Sequence, residues 1–428
     1  MEAAILLLAF LVFLAIGVPI AFSLGLSALT YIILFLPNVT FSTITQQMLG
    51  GVNKFSYTAI PFFILVGAIM DAGGISRRLV EFIRALVGHK RGGIGLIALL
   101  SSVVFASLSG SSIANVAATG CMTIPLMKKN GYSKGLAGAI EASSSSLGAV
   151  IPPSLPFVVY GGLTSISIGS LFIGGYVPGI IMALVLGTIL VLKARRMGVP
   201  CIERQPRKEV FRLFIRALPS LLTPFVIIGG ILFGIMTPTE AGAVGCVYAL
   251  IVSFFYRELK LSDIPKVLKQ TASTTGFVML VMSSAALFGW VMAFENIPTR
   301  VATALISVLK TPQMFMIGIV LLMIVVGTFI DTLSAIIILG PVLLTASKMM
   351  GIDPLHFGLI LCMALSFGVL TPPVGTCLFV AAGIADTPIE DVAKNALPFT
   401  IALFAITLIL ALVPDIVLWL PRLCGYVG

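Results

Sequence analysis

Small polar residues interrupt long apolar stretches of this chain at four places, and their types suit the binding of ions. In the first half the interruptions are LSGSSIAN at Leu108 to Asn115 and GAVIPPS at Gly148 to Ser154. In the second half they are FIDTLSA at Phe329 to Ala335 and GVLTPPVGT at Gly368 to Thr376. Adjacent prolines exclude a continuous helix. Inside a bilayer such backbone persists only where protein or a polar cavity satisfies its N–H and C=O groups, so these stretches are predicted to line a cavity.

Helices that end inside a membrane are suited to bind both cations and anions. The carbonyl end of a helix carries partial negative charge, and the amide end carries partial positive charge. Carbonyl and hydroxyl oxygens suit sodium, whereas N–H groups and hydroxyls suit a carboxylate. The candidate ligands are Ser109, Ser111, Ser112 and Asn115 in the first half, and Asp331, Thr332, Ser334, Thr371 and Thr376 in the second.

Several of these residues also have a purely structural interpretation. Serine and threonine in membrane helices often donate to a carbonyl one turn back, and Asp331 equally suits the N-cap of the helix after it. A carboxylate at membrane depth is a functional candidate by default, and Glu141 is embedded too. Glu240 follows a proline turn, which favours a helix N-terminal role over contact with substrate. Ser143 to Ser146 suit either direct ligation or a polar helix face packed on the first hairpin.

The two halves of the chain resemble each other without any gap. An offset of 220 residues aligns five pairs. These are Gly131 with Gly351, Ser146 with Ser366, Gly148 with Gly368, Pro152-Pro153 with Pro372-Pro373, and Ser111-Ser112 with Asp331-Thr332. The shared register indicates an internal duplication. Paired, interrupted hydrophobic segments in two halves are the best sequence indication of a transporter binding site.

The composition is that of a membrane protein. Of the 428 residues, 59% are apolar and 10% are charged, against about 25% charged in ordinary soluble domains. Many apolar runs exceed the roughly 18 residues that suggest a spanning helix, which predicts an all-α polytopic membrane protein. The net charge of +10 is therefore interpreted through its placement in loops and not as a nucleic-acid surface. The N-terminus has no basic region, which favours a retained helix over a signal peptide.

The hydrophobic pattern predicts two re-entrant helical hairpins, two broken helices and several spans. Amphipathic helices at 75–87 and 295–310 precede the hairpins, which cover 92–127 with a break at 109–113, and 313–347 with a tip at 330–334. The broken helices begin at 135 and 355, and further spans are predicted at 168–195, 218–236, 238–256, 271–294 and 398–420. Residues 3–36 form either one kinked helix or two short ones.

The basic residues predict opposite orientations for the two hairpins. Eight Lys and Arg flank the first hairpin at 77–91 and 127–134, whereas three flank the second at 295–312 and 347–354. Eight more at 193–216 mark a cytoplasmic loop. Because cytoplasmic loops collect Lys and Arg, the first hairpin is predicted to enter from the cytoplasm and the second from the opposite side. Their tips would then meet near the midplane and form a site between inverted repeats.

Together these motifs resemble one family. The segments are AIPFFILVGAIMDAGGISRRLVEF, ASLSGSSIANVAA, IPPSLPFVVYG, TPTEAGAVGCVYAL, GTFIDTLSAIIILGPVLL and GVLTPPVGTCLFVAAG. In this order they look like the large membrane subunit, of DctM type, of tripartite ATP-independent periplasmic (TRAP) transporters, with the sialic-acid transporters as first candidates. The resemblance extends from about residue 4 to the end of the chain.

The resemblance implies a multi-pass protein of the bacterial inner membrane that acts with two partners. A small four-helix membrane subunit pairs with it, and a soluble periplasmic binding protein delivers the substrate. Such proteins import organic acids with a sodium gradient, with at least two sodium sites expected, and resemble elevator transporters in which a moving domain passes a static scaffold. The implied domains are scaffold and first arm at 1–91, transport domain at 92–162, scaffold and second arm at 163–311, transport domain at 312–385, and a C-terminal arm and last helix at 386–428.

The resemblance also implies candidate ligands. For substrate these are Ser111, Ser112, Asn115, Ser154, Asp331, Thr332 and Thr376. For sodium, beside each hairpin tip and its Pro-Pro break, they are Ser109, Gly110, Ser112, Gly148, Pro152, Ile330, Ser334, Gly368, Thr371 and Pro372. Many members of the family carry Asp near the position of Asn115, so the neutral amide here argues against a mechanism that needs a carboxylate there.

The sequence therefore predicts a sodium-coupled importer of an acidic solute and not an enzyme. Sialic acid is the first candidate substrate and a C4-dicarboxylate the second, because the family transports such acids. A channel would need a continuous polar path, whereas offset hairpins of opposite orientation favour alternating access. An intramembrane hydrolase would need a Ser/His or paired-Asp site, and the two histidines, His89 and His356, both lie near loops. Six scattered cysteines without a CxxC pair give no support to disulfides or zinc.

Overall fold

The chain is all-helical. The computed structural model describes residues 2–199, 201–372 and 375–427, which form helices joined by short connections without any β-strand. The helices of the first half are α1 (Glu2–Ala15), α2 (Ile20–Phe35), α3 (Phe41–Gly50), α4 (Ala59–Ala72), α5 (Ile75–Val87), α6 (Gly93–Ser109), α7 (Ser112–Lys129), α8 (Lys134–Ser145), α9 (Leu155–Thr164) and α10 (Ile168–Met197). Those of the second half are α11 (Arg207–Leu232), α12 (Pro238–Phe255), α13 (Ile264–Phe294), α14 (Ile297–Val308), α15 (Pro312–Phe329), α16 (Thr332–Met349), α17 (Pro354–Gly368), α18 (Thr376–Ala385), α19 (Ile389–Leu412) and α20 (Pro414–Leu423).

Both hairpins are present, with tips where the sequence predicts them. α6 is followed by Gly110 in a left-handed conformation, with φ 62°, and α7 begins after Ser111 as its N-cap. α15 and α16 meet at the second tip, where the Asp331 carboxylate accepts a hydrogen bond from the backbone N–H of Ser334 at 3.0 Å. Glycine adopts the left-handed turn without steric cost, and capping side chains satisfy N–H groups at a helix start. The interpretation of Asp331 as an N-cap is confirmed.

The two broken helices are also confirmed. α8 ends at Ser145, and after a 3-10 turn at Ser146–Ala149 the chain restarts as α9 at Leu155, beyond Pro152-Pro153. α17 ends at Gly368, and α18 begins only after Gly375, whose φ is 49°. Proline has no N–H to donate and its ring clashes with the preceding turn, so regular helical hydrogen bonding stops before Pro152-Pro153 and before Pro372, whose neighbour Pro373 lies outside the described residues.

The order of elements repeats along the chain. α4 to α10 comprise a span, an amphipathic helix, a hairpin, a broken helix and a long helix, and α13 to α19 follow the same order. α7 and α16 begin and end at residues separated by the same offset of 220 that aligns the sequence motifs. The predicted duplication thus describes the arrangement of helices as well as the spacing of motifs.

Several boundaries differ from the predictions, since α11 and α13 begin earlier than the spans predicted at 218–236 and 271–294. The predicted span at 398–420 is wrong because α19 ends at Leu412 and α20 starts at Pro414, whose ring cannot continue a helix. The predicted loop at 193–216 is mostly helical, with an irregular connection only between α10 and α11. Residues 3–36 form two helices, separated by a turn at Gly17 with φ 85°.

Eight helices in the described ranges are long and apolar enough to cross a membrane: α4, α10, α11, α12, α13, α15, α16 and α19. For α4 and α13, the span includes the 3-10 turn that precedes the helix. The helices around the breaks, such as α9 and α18, have only 10 residues each, which is half the length of a typical span. Large apolar side chains such as Ile33, Phe225 and Phe233 are exposed on the outside. The chain is therefore a multi-pass membrane protein in which short helices flank the breaks and long helices span the membrane.

One body of packed helices contains both hairpins and both broken helices. α7, the second leg of the first hairpin, packs on α18, which follows the second break. Conversely, α16 packs on α9, which follows the first break. α10 packs on α6 and α17, and α19 packs on α8 and α17. The two repeats are therefore interleaved, because each hairpin contacts the broken helix of the other repeat.

Two ion pairs connect the ends of these helices. α5 is amphipathic, as predicted, and its Arg78 pairs with Glu258 at 2.8 Å while its guanidinium lies 3.8 Å from the Tyr256 ring centroid. Lys134, at the start of α8, pairs with Asp386 at 2.7 Å. The hydrogen bond and charge of Lys134 lower the pKa of the Asp386 carboxyl. Such an exposed pair contributes little to stability.

Candidate substrate and ion site

The tip of the first hairpin lies against the first break. The Ser112 hydroxyl donates to the carbonyl oxygen of Ser146 at 3.1 Å, and the backbone N–H of Leu155 donates to the carbonyl oxygen of Gly110 at 3.1 Å. A Cβ added to Gly148 would lie 3.1 Å from the carbonyl oxygen of Ser111. The structure thus brings the predicted residues of the first half together in one small region.

Asn115 occupies the centre of this region and is fully buried. Its Nδ2 donates to the carbonyl oxygens of Ser102 on α6, at 2.9 Å, and of Ser145 on α8, at 3.4 Å. The amide therefore connects both legs of the first hairpin to the broken helix. A carboxylate would offer no hydrogen to these two carbonyls unless it were protonated, which gives a physical reason for the neutral amide at this position.

Among the other candidates of the first half, the hydroxyls of Ser154 and Ser109 donate within the protein, whereas that of Ser111 accepts. Ser154 donates to the carbonyl oxygen of Ala149 at 2.6 Å, and Ser109 makes a long contact of 3.4 Å with the carbonyl oxygen of Ser111. The Ser111 hydroxyl accepts from the Ala114 N–H at 3.5 Å, and Pro152 is buried. The hydroxyl lone pairs remain suited to a cation, because donating a hydrogen leaves both of them in place.

In the second half the backbones of the hairpin and the broken helix touch directly. A Cβ added to Gly368 would lie 2.5 Å from the Cα of Gly327 on α15. Thr332 opens α16 and is half-buried, as is Ile330 before it, whereas Pro372 is exposed. The absence of side chains at both glycines allows the first leg of the hairpin to reach the break.

Three candidate hydroxyls of the second half have no partner. The hydroxyl oxygens of Ser334, Thr371 and Thr376 are buried and make no hydrogen bond within the described residues. Leaving a buried hydroxyl unpaired costs on the order of 1–3 kcal/mol. Three such groups at one tip and one break therefore suit a place where a ligand supplies the missing partner.

The packing of α7 on α18 brings candidates from the two halves to a common level. A Cβ added to Gly120 would lie 3.3 Å from Ile384 Cδ1, and Lys128 Nζ donates to the carbonyl oxygen of Ala385 at 3.1 Å. The two helices therefore run in the same direction. Gly120 lies eight residues after Ser112, and Ile384 lies eight after Thr376. With a rise of about 1.5 Å per residue in each helix, both N-terminal ends lie at about the same depth.

Two helix N-termini at one level are suited to an anion. The first turn of a helix offers N–H groups without an intrahelical partner and carries partial positive charge. Each of these two helices also begins with a hydroxyl side chain, of Ser112 or of Thr376. The ends of α6, α8, α15 and α17, by contrast, carry carbonyl groups with partial negative charge. The arrangement thus places separate anion and cation binding groups at the same breaks.

Sequence reasoning missed a set of hydroxyls below the first tip. Ser102, Thr119 and Thr123 are buried and contact the carboxyl group of Glu141. The spacing of Asn115, Thr119 and Thr123, one every four residues, puts them on one face of α7. This spacing was the sequence signal that could have identified them.

Ser143 to Ser146 form a polar face against the hairpin through Ser145 and Ser146. Glu240 forms a capping box with Thr237, which confirms its helix N-terminal role.

An all-helical, multi-pass protein with an internal repeat and hairpins packed against broken helices has the architecture of a secondary transporter. The chain belongs to the family described as tripartite ATP-independent periplasmic transporter, DctM component, whose model matches residues 7–416. It is a transporter permease subunit and not an enzyme.

Named relatives cover nearly the whole chain. The uncharacterized protein YgiK of Salmonella typhimurium is 40% identical over 97% of this chain and 96% of its own length. The sialic acid TRAP transporter large permease SiaM of Vibrio cholerae is 37% identical, over 96% of each chain. The C4-dicarboxylate TRAP transporter large permease DctM of Pseudomonas aeruginosa is 38% identical, over 94% of each. Among solved structures, the YdaH transporter of Alcanivorax borkumensis has a TM-score of 0.57 at 15% identity, covering 87% of this chain and 89% of that one, which shows the fold alone.

Proposed function

We propose that this chain is the large permease subunit of a sodium-coupled TRAP importer of an acidic solute. The observation that carries this proposal is the set of three hydroxyls, of Ser334, Thr371 and Thr376, that are buried without a hydrogen-bond partner among the described residues. Two helix N-termini at one level, those of α7 and α18, support it. A carboxylate at the N-termini of α7 and α18 would accept hydrogen bonds from N–H groups and from the Thr376 hydroxyl, whose hydrogen has no acceptor among the described residues.

Sodium would bind at the carbonyl ends beside the same breaks. In the first half these are Ser109 and Gly110 at the end of α6 and Gly148 in the turn after α8. In the second half they are Ile330 after α15 and Gly368 at the end of α17. The hydroxyls of Ser334 and Thr371 would add hard oxygen ligands. With one group of ligands at each break, two sodium ions per substrate is the smallest stoichiometry that fills both.

Sialic acid is the substrate that we propose first, and a C4-dicarboxylate second. Both carry a carboxylate for the paired N-termini, and relatives at 37% and 38% identity are named for these two substrates. The substrate would arrive from a periplasmic binding protein, with a small membrane subunit beside this chain in the bacterial inner membrane.

The body of packed helices that contains both hairpins and both broken helices would be the part that moves. We propose an elevator in which the hairpins and broken helices pass the remaining helices, with α5 and α14 as the arms. The packing of α10 on α6 and α17, and of α19 on α8 and α17, favours including both long helices in the moving body. The moving part would then be larger than 92–162 and 312–385, and the static part correspondingly smaller.

Uptake by proteoliposomes tests the coupling. We expect the purified permease, with its cognate small subunit and binding protein, to accumulate labelled sialic acid when external sodium exceeds internal sodium. Replacing sodium by potassium or omitting the binding protein should each abolish uptake, because the ion sites and the delivery step are both required. Succinate in place of sialic acid tests the second substrate. Uptake at the same rate in potassium would contradict the assignment of the carbonyl ends as sodium sites.

Labelling from the two sides of the membrane tests the inverted orientation. Lys129 ends α7 and Met349 ends α16, 220 residues later, and both side chains are exposed. In a background without the exposed Cys121, Cys201 and Cys424, we expect Lys129→Cys to react with an impermeant maleimide only from the cytoplasmic side. Met349→Cys should react only from the periplasmic side, because the three basic residues around the second hairpin are too few for a cytoplasmic face. Reaction of both from one side would exclude inverted repeats.

A further inference from the structure

Glu141 lies inside the body of packed helices and its carboxyl group contacts none of the proposed sodium ligands. It is 0% exposed on α8, and four hydroxyl groups surround its carboxyl group. Ser145 Oγ lies 3.0 Å and Ser102 Oγ 3.3 Å from Oε1. Thr119 Oγ1 is also hydrogen-bonded to Oε1, and Thr123 Oγ1 to Oε2.

The four hydroxyls come from three helices. Ser102 is on α6, Thr119 and Thr123 are on α7, and Ser145 is on α8 with Glu141 itself. The carboxyl group therefore connects both legs of the first hairpin to the first broken helix. It lies about one helical turn beyond Asn115, whose backbone carbonyl oxygen accepts a hydrogen bond from Thr119 at 2.8 Å.

The structure provides no positive charge for this carboxyl group. Within the described residues no basic side chain contacts Glu141, because the nearby lysines are engaged elsewhere. Lys128 Nζ donates to the Ala385 carbonyl oxygen at 3.1 Å, Lys134 pairs with Asp386 at 2.7 Å, and Lys129 is exposed. An uncompensated carboxylate in a protein interior within a membrane is very costly, so a proton or another cation must neutralise it.

The hydrogen inventory favours a proton. Each threonine hydroxyl has one hydrogen, and Thr123 Oγ1 lies 3.1 Å from the carbonyl oxygen of Thr119, one turn back. If Thr123 donates to that carbonyl, its contact with Oε2 requires a hydrogen on the carboxyl group. Oε1 then accepts from Ser102 and Ser145. Thr119 can donate its single hydrogen either to Oε1 or to the carbonyl oxygen of Asn115. The carboxyl oxygens contact the hydroxyls directly, which leaves no space for a sodium ion between them.

We propose that Glu141 is a proton-binding site, present as a neutral carboxylic acid that joins the first hairpin to the first broken helix. It acts as a positioning residue for Ser112 and Asn115, since both bond to the same turn of α8, through Ser146 and Ser145. Its role in transport rests on the proposed function, whereas its protonation can be measured without any transport.

Infrared spectroscopy of the purified protein at neutral pH tests the protonation. We expect a carbonyl band of a protonated carboxylic acid in the wild type, and its loss in Glu141→Gln. Glu240→Gln is the matched control, because Glu240 is exposed and bonded as a cap to Thr237, and it should leave the band unchanged. A wild type without this band, or a band that persists in Glu141→Gln, would overturn the proposal.

Transport and unfolding separate a proton from a sodium ion at this site. Glutamine has the shape of the neutral acid and donates a hydrogen. Glu141→Gln should therefore keep the melting temperature of the wild type and keep uptake within about two-fold of it. Glu141→Leu leaves the four hydroxyls without their partner, so it should melt earlier and reduce uptake by about ten-fold or more. An unfolded Glu141→Gln protein, or one that has lost its sodium dependence, would contradict a neutral acid. If the wild type transports without sodium, the proposed function fails while the infrared result stands.

Discussion

Replacing Gly368 by alanine is expected to abolish transport while most surface substitutions leave it unchanged. A Cβ at Gly368 would lie 2.5 Å from the Cα of Gly327 and 2.7 Å from its carbonyl carbon. Real Cβ atoms do not come so close to a backbone, and the neighbour is a main chain that moves only if α15 moves as a whole. The added methyl group therefore separates the second hairpin from the second break, where the sodium ligands are proposed.

The expected cost is large for one methyl group. Overpacking in a close-packed interior destabilises by about 1–3 kcal/mol, and a displacement of the hairpin by a fraction of an ångström disrupts a site whose ligands must fit an ion. We expect uptake to fall by about a hundred-fold. The measurements are sodium-driven uptake in proteoliposomes and the melting temperature of the purified protein.

Gly383→Ala is the matched control. Gly383 lies on α18, in the same broken helix, and a Cβ there would meet nothing within 4 Å. Alanine is favoured over glycine inside a helix by about 1 kcal/mol, so this variant should melt at the same or a higher temperature and transport normally. Normal uptake by Gly368→Ala, or equal losses in both variants, would show that the contact between Gly327 and Gly368 is not what holds the site.

The tips and breaks were predictable from the sequence because local chemistry ends the helices there. Gly110 takes the left-handed turn at the first tip, and Asp331 caps the helix at the second. Pro152-Pro153 and Pro372 prevent α8 and α17 from continuing. These causes act within a few residues of each break. The end of α19 was not predicted, because Pro414 lies in an apolar run that hydropathy alone extends across it.

The clusters of candidate residues within each half were predictable as well, but the contacts between the two halves were not. The family resemblance implied that Ser112 and Gly148 lie beside the same tip and break, and consecutive elements usually pack together. The pairing of α7 with α18 joins residues that are more than 250 positions apart, as Lys128 and Ala385 show, and no pattern along the chain specifies it. The same limit applies to α10 and α19, since an apolar span carries little information about which body it packs on. Whether a hydroxyl is bonded or unpartnered depends on such packing.

Replacing Thr376 by valine is expected to reduce uptake strongly without loss of stability. Its hydroxyl oxygen is buried, and none of the described residues bonds to it. Valine has nearly the same shape, so the change removes only the hydroxyl group. If that group binds the substrate carboxylate, its loss removes a charge-assisted hydrogen bond of about 1.5–3 kcal/mol, which is about ten- to a hundred-fold in uptake at low substrate concentration. The folded protein loses an unpaired polar group, so its melting temperature should stay the same or rise.

Thr223→Val separates this role from a general effect of buried hydroxyls. The Thr223 hydroxyl is also buried without a partner in the described ranges, but it lies on α11, which is far from both breaks in the sequence and packs on α5 and α12. Its removal should raise the melting temperature in the same way and leave uptake unchanged. If uptake falls in Thr376→Val but not in Thr223→Val, while the melting temperatures of the two variants change alike, the Thr376 hydroxyl is assigned to the substrate. Wild-type uptake by Thr376→Val, by contrast, would remove the N-terminus of α18 from the proposed anion site and leave only that of α7.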